Sequence, residues 1–90
     1  MPSIKRIVLD VLKPHQPNAL EFAHNIAQLG EDYRVRLSVV EVDEKTESTE
    51  IIIEGDTLDM QRIEEAINAM GGSVHSIDEV EVTGEAPPAS

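Results

Sequence analysis

An α+β sandwich is the fold class this sequence predicts, and three observations predict it. Two helix-periodic segments alternate with four strand-periodic ones in the order strand, helix, strand, strand, helix, strand. Glycines stand where both helices should end, and a chain of 90 residues has material for one core only.

The first strand runs from Ile4 to Lys13. It is β-branched and apolar, with Ile7, Leu9 and Val11 on one face and Val8, Asp10 and Leu12 on the other, the pattern of a central strand. Pro14-His15-Gln16-Pro17 stops it, and Asn18 or a neighbour caps a helix running to about Leu29 before Gly30. On a helical wheel Ala19, Leu20, Phe22, Ala23, Ile26, Ala27 and Leu29 share an apolar arc, opposite Glu21, His24, Asn25 and Gln28.

Tyr33 to Asp43 alternates as a second strand, with Val35, Leu37 and Val39 facing one way and Arg36, Ser38, Val40 and Val42 the other. Glu44 to Ser48 reads as a polar connection to its antiparallel partner, Thr49 to Glu54, built on Ile51, Ile52 and Ile53. Gly55-Asp56-Thr57 then turns into a second helix, capped by Asp56 or Thr57, with Leu58, Met60, Ile63, Ala66, Ile67 and Met70 turned inward. Gly71-Gly72 ends it in a left-handed cap, and Ser73 to Val82 is the last strand.

Two strand-helix halves with right-handed crossovers give a ferredoxin-like sandwich over residues 1–82: a four-stranded antiparallel sheet, order 4-1-3-2, with both helices on one face. Residues 83–90, rich in Pro and Ala, read as a flexible C-terminal tail. If Ile7, Leu9, Val11, Ile51 and Ile53 meet the helices, then Val8, Leu12, Val40, Val42 and Ile52 line the uncovered face, between Asp10, Arg36, Glu50 and Glu54. An apolar patch of that kind points to a partner, and another copy of the chain is the simplest one.

Composition excludes several function classes. The chain lacks cysteine, which removes thiol nucleophiles, disulfides and iron–sulfur ligation. A formal charge of −11 repels a phosphate backbone, so nucleic acid is not an expected partner. Aromatic residues are 2% of the chain, Phe22 and Tyr33, so there is little to stack on a base. With no signal-peptide pattern and no apolar stretch near about 18 residues, no membrane is expected and the cytoplasm is the default location.

Three stretches carry a resemblance: Ile4 to His15, the acidic hairpin from Val39 to Glu54, and Gly71-Gly72-Ser73-Val74-His75-Ser76-Ile77-Asp78-Glu79-Val80. Together they resemble a family of small, mostly archaeal proteins catalogued as domain of unknown function 211. The resemblance spans nearly all of the chain except its tail. It implies a ferredoxin-like domain that assembles into a homo-oligomer, in the form of a ring, and it implies no particular activity. An archaeal source also suits an acid-rich surface with only the lysines Lys5, Lys13 and Lys45, as in a high-salt cytoplasm.

Function on such a scaffold must be argued from residues. The loop after the first strand has neither the two thiols of a metal chaperone nor the arginine and glycines of an acylphosphatase-like anion cradle. His15, between two prolines at the end of a central strand, and Asp10 upstream of it are candidates for ligand, metal or acid–base work, against the plainer reading of a histidine closing a turn. His24, between Glu21 and Gln28 on the polar helix face, reads as a solvated histidine. In His75-Ser76-Ile77-Asp78, alternation sends His75 and Ile77 to one face and Ser76 and Asp78 to the other, so a hydrolase triad is not expected and no catalytic residue is assigned.

The ligand candidates are thus Asp10, His15, His75 and Asp78. Among the clustered carboxylates, Glu41, Asp43, Asp78 and Glu79 are candidate ligands for the hard cations Ca2+ or Mg2+, although their spacing lacks the regularity and glycine of a calcium loop. The expected function is a non-enzymatic homo-oligomeric domain, joined through its open sheet face or strand edges, that binds a divalent cation or small ligand near subunit boundaries. The alternatives are a regulatory sensor of a small metabolite, like an amino-acid-binding domain, and a metal-assisted enzyme using Asp10 and His15.

Overall fold

The computed structural model of the chain describes residues 2–84. Six elements follow in the expected order: β1 (Ser3–Pro14), α1 (Ala19–Ala27), β2 (Arg34–Val42), β3 (Thr46–Glu54), α2 (Met60–Ala69) and β4 (Ser73–Thr83). All pairings are antiparallel, and the sheet order β2-β3-β1-β4 is 4-1-3-2 read from the other edge. β4 runs one residue past the expected domain boundary at 82, and residues 85–90 of the expected tail lie outside the described residues.

The core forms because the period-2 pattern of two central strands meets the period-3.6 pattern of two helices. Ile7, Leu9 and Val11 of β1 and Ile51 and Ile53 of β3 pack with Phe22 and Ile26 of α1 and Ile63 and Ile67 of α2, all essentially inaccessible. Leu20, expected on the apolar arc of α1, instead points to solvent beside Glu21, His24 and Asn25. Phe22 and Ile26, four residues apart, define the buried stripe, and Leu20 falls outside it.

Local chemistry sets the helix ends. The Asn18 side chain accepts from the Glu21 amide at 2.9 Å, the expected cap of α1. α2 begins later than expected: Asp59, not Asp56 or Thr57, is the cap, accepting from the Arg62 amide at 3.2 Å. Leu58 is therefore the residue before the cap, and it packs with Ile63 in the core, the contact that fixes a helix's entry angle. Gly71, at φ 86°, and Gly72 close α2 as expected, their amides donating to the carbonyls of Asn68 and Ile67.

Irregular pairing changes which side chains share a face. Val39 pairs with Thr49 but Glu41 with Ser48, so Val40 is an extra residue on β2. Beyond that bulge Val42 lies opposite Glu47 on the helix side, not with Arg36 and Ser38 on the open side as strict alternation predicts. β3 starts at Thr46, so the hairpin connection is shorter than expected and Glu47 and Ser48 belong to the strand. β4 carries extra residues at His75 and Asp78, and β1 one at Lys5.

The two helices, of 9 and 10 residues, are about 14–15 Å long at ~1.5 Å per residue. β1, with 12 residues, runs about 40 Å at ~3.3 Å per residue. The helices therefore cover only the middle of the sheet. On the helix side, Val39 and Val42 of edge strand β2 and Ile77, Val80 and Val82 of edge strand β4 remain 41–63% exposed.

Candidate functional site

The buried parity of β1 does not stop with its apolar residues. Lys13 follows Ile7, Leu9 and Val11 onto the helix side and is completely inaccessible, although its partners are charged. Its ammonium donates to Glu47 Oε1 at 2.9 Å and to the Pro14 carbonyl at 2.8 Å, and lies 5.7 Å from the centre of the Phe22 ring. Glu47 reaches it because the two residues are direct cross-strand partners.

The other oxygen of Glu47 takes His15. His15 Nδ1 is 2.9 Å from Glu47 Oε2, and Nε2 is 3.0 Å from the Glu44 carbonyl. Both ring nitrogens face acceptors, an arrangement that the imidazolium, with two N–H donors, satisfies completely. The Glu47 carboxylate, then the Glu44 carbonyl, accordingly push the His15 pKa up from its ordinary 6.5. His15, then Lys13, hold Glu47 below its ordinary 4.5. The expected histidine in its rigid proline-flanked loop is present, but the carboxylate it meets is Glu47 and not Asp10, and the two bind each other and pin that loop to the β2–β3 hairpin.

A pH dependence follows. His15, raised in the folded chain, contributes stability that is complete below pH 6.5 and is lost as pH rises through its raised value. Glu47, depressed in the folded chain, contributes stability that is complete above pH 4.5 and is lost as pH falls through its lowered value. Calorimetric melting temperatures between pH 5 and 9 should therefore decline on the alkaline side, and His15→Ala should flatten that limb. An unchanged alkaline slope in the variant would show that His15 does not carry it.

Asp10, the other member of the expected acid–base pair, does not meet His15. It lies on the open face, opposite Glu50 on β3 and Ser76 on β4. There a shallow cleft of about 220 Å³ is lined by Asp10, Val40, Ser48, Thr49, Glu50 and Asp78. Of the four ligand candidates it joins two, Asp10 and Asp78. Asp78 accepts a 2.8 Å hydrogen bond from the Ser76 hydroxyl, in keeping with the shared face expected for that pair, while exposed His75 is an unpaired bulge residue.

The four cation candidates are spread across the sheet. Glu41 and Asp43 lie at the end of β2, and Asp78 and Glu79 on β4, the opposite edge. Glu79 is engaged by Arg6 Nε at 2.6 Å. Among the described residues, no group of three or more His, Cys, Asp or Glu is placed to hold a metal ion.

The open face is less apolar than alternation alone predicts. Val8 is buried, and two residues before it on the same face Arg6 bridges Glu79 on β4 and Glu54 on β3, the latter at 2.9 Å. Toward β2 the same face holds a cleft of about 320 Å³ lined by Arg6, Arg34, Val35, Arg36, Ile52 and Glu54. The exposed apolar side chains are concentrated on the helix side of the two edge strands instead. Sequence reasoning missed Glu47 and Arg34. The signal for Glu47 was available: a lysine continuing a buried alternation requires an acid on the neighbouring strand.

Comparison with known proteins gives a family and a relative. The model of the family described as DUF211, uncharacterized ArCR, matches residues 5–86. Uncharacterized protein MJ0319 of Methanocaldococcus jannaschii is 45% identical over 80 residues, which cover 89% of this chain and 82% of that protein.

Proposed function

The chain belongs to the DUF211 family and has an archaeal relative in MJ0319, and on that premise we propose that it is a non-enzymatic, self-assembling domain that binds a small ligand or divalent cation where copies meet. The observation that carries the proposal is the apolar ribbon on β4. Ile77, Val80 and Val82 are each about half exposed on one side of an edge strand, in a chain of net charge −11. Isolated exposed apolar residues are ordinary, but a continuous ribbon beside unpaired backbone groups is an association surface. The opposite edge offers a different apolar patch on the helix side, Val39 and Val42, 41–63% exposed. Two unlike patches on opposite edges favour a head-to-tail contact, which closes into a ring when its rotation permits.

Substituting lysine for Ile77 and Val80 tests this. Both sites are half exposed, so a lysine head can reach water without disturbing the core. The double variant should keep its far-ultraviolet spectrum and sediment as a monomer of about 9.9 kDa, while the unmodified chain sediments as a multiple of that mass. A variant that sediments like the unmodified chain would remove the β4 ribbon from the interface.

A divalent cation is the ligand we favour: the cleft lined by Asp10, Glu50 and Asp78 brings carboxylates to one opening, and because the described residues of one chain do not form a metal site by themselves, a neighbouring copy has to supply the remaining oxygens. A metabolite sensor would be stabilised by its ligand in chelator as well, whereas a cation-binding assembly would not. No helix of the described residues is long and apolar enough to cross a membrane, and the acidic surface supports a cytoplasmic setting without nucleic-acid partners.

A further inference from the structure

The open face is polar along its strands. Its acidic end is the cleft of Asp10, Glu50 and Asp78, and its other end gathers three of the four arginines in the whole sequence, Arg6, Arg34 and Arg36. Chain geometry brings them together. Arg6, Glu54 and Arg34 form one cross-strand row over β1, β3 and β2, and Arg36 sits two residues from Arg34 on the same face, opposite Ile52.

The charges in this cleft are unequally satisfied. Arg6 is bound at both ends, to Glu54 at 2.9 Å and Glu79 at 2.6 Å. Glu54 lies opposite Arg34 in the register, yet its recorded ion pair is with Arg6. Among the described residues neither Arg34 nor Arg36 is within salt-bridge distance of a carboxylate, although the chain has eighteen acidic residues against seven basic ones. Two guanidinium groups without an ion-pair partner among the described residues therefore line one opening, beside half-buried Ile52.

We propose that this cleft binds a small dianion through paired contacts from Arg34 and Arg36, while Arg6 holds the Glu54 carboxylate of the same cleft in an ion pair. Residues two apart on a strand place their Cα atoms about 6–7 Å apart, so two planar forks converge on oxygens of a single phosphate or dicarboxylate. The net negative field of the rest of the surface opposes anions elsewhere, which makes the opening selective by contrast. The volume, about 320 Å³, has room for a phosphate ester or a short dicarboxylate. This site is separate from the β4 ribbon and does not depend on self-assembly.

Thermal shift and titration calorimetry with inorganic phosphate and with malonate, at ionic strength held constant with potassium chloride, test the assignment. The intact chain should show saturable stabilisation by at least one of the two, and Arg34→Gln/Arg36→Gln should weaken that binding at least about tenfold, the loss of one to two charge-assisted contacts. A response to phosphate alone would assign a phosphate group, and a response to malonate alone a carboxylate ligand. An Arg62→Gln control, on α2 away from the cleft, should bind like the intact chain. The proposal is overturned if neither probe saturates, if the double variant binds equally well, or if that variant changes molecular mass while the intact chain binds no anion, which would assign the arginines to a contact between copies.

Discussion

Phe22→Ala should lower the unfolding free energy by about 3–5 kcal/mol, as truncations of large buried aromatics do. For a domain of this size the total is roughly 5–13 kcal/mol, so the variant should be partly unfolded at moderate urea concentrations. The expectation rests on position. Phe22 is the one aromatic in the core cluster, fully inaccessible, and Gly72 abuts it so closely that an added Cβ would lie 2.9 Å from its Cζ. Its ring also lies beside the Lys13 ammonium. Backbone on one side and a cation on another leave neighbours little freedom to collapse into the vacated space. Urea unfolding followed by circular dichroism gives the value, and a loss under about 1 kcal/mol would contradict the packing described.

Glu47→Ala should be comparably damaging for a different reason. It leaves Lys13, wholly buried, with only the Pro14 carbonyl and the face of Phe22 as partners. Removing one member of a buried ion pair strands the other charge, whereas replacing both by apolar groups of similar volume is often neutral. The melting temperature of Glu47→Ala should fall by roughly 10 °C or more, and Lys13→Met/Glu47→Leu should recover most of that fall. His15 loses its carboxylate partner, though not the Glu44 carbonyl, in both variants, so the recovery isolates the lysine. If the single variant melts like the unmodified chain, Lys13 is hydrated; if the double variant melts as low as the single, the loss belongs to His15 and the loop it holds.

Much of this fold is legible in the sequence because two periodicities are clean where the core is. Ile7-Leu9-Val11 and Ile51-Ile53 alternate without interruption, and Asn18, Gly71 and Gly72 have chemistry that suits few positions other than helix ends. What escaped was set by long-range pairing. The bulge at Val40 moves Val42 to the other face, and the extra residues at His75 and Asp78 break the alternation of β4, none of which leaves a mark in local composition. The late start of α2 follows from tertiary ties: the Leu58 amide donates to the Ile4 carbonyl and the Asp59 amide to the Tyr33 hydroxyl, which hold Leu58 in extended chain against the core.

The candidate site was legible in part. His15 stands out for its prolines and Asp10 for its place on a central strand, but Asp10 lies on the open face while His15, just past the end of β1, is taken by Glu47. Glu47 had been placed in a polar connection, and only the longer β3 brings it opposite Lys13. The arginine cleft draws one arginine from β1 and two from β2, strands that do not pair with each other. Such a site becomes visible once strand order and register are both known.

Self-assembly is the central claim, and the light-scattering mass of the intact chain at micromolar concentration, at low and at high potassium chloride, tests it most directly. The account predicts a defined multiple of 9.9 kDa that persists at high salt, because burial of the Ile77, Val80 and Val82 ribbon is apolar and screening leaves it intact. A mass of 9.9 kDa under every condition would contradict it and leave the exposed ribbon without the partner proposed for it.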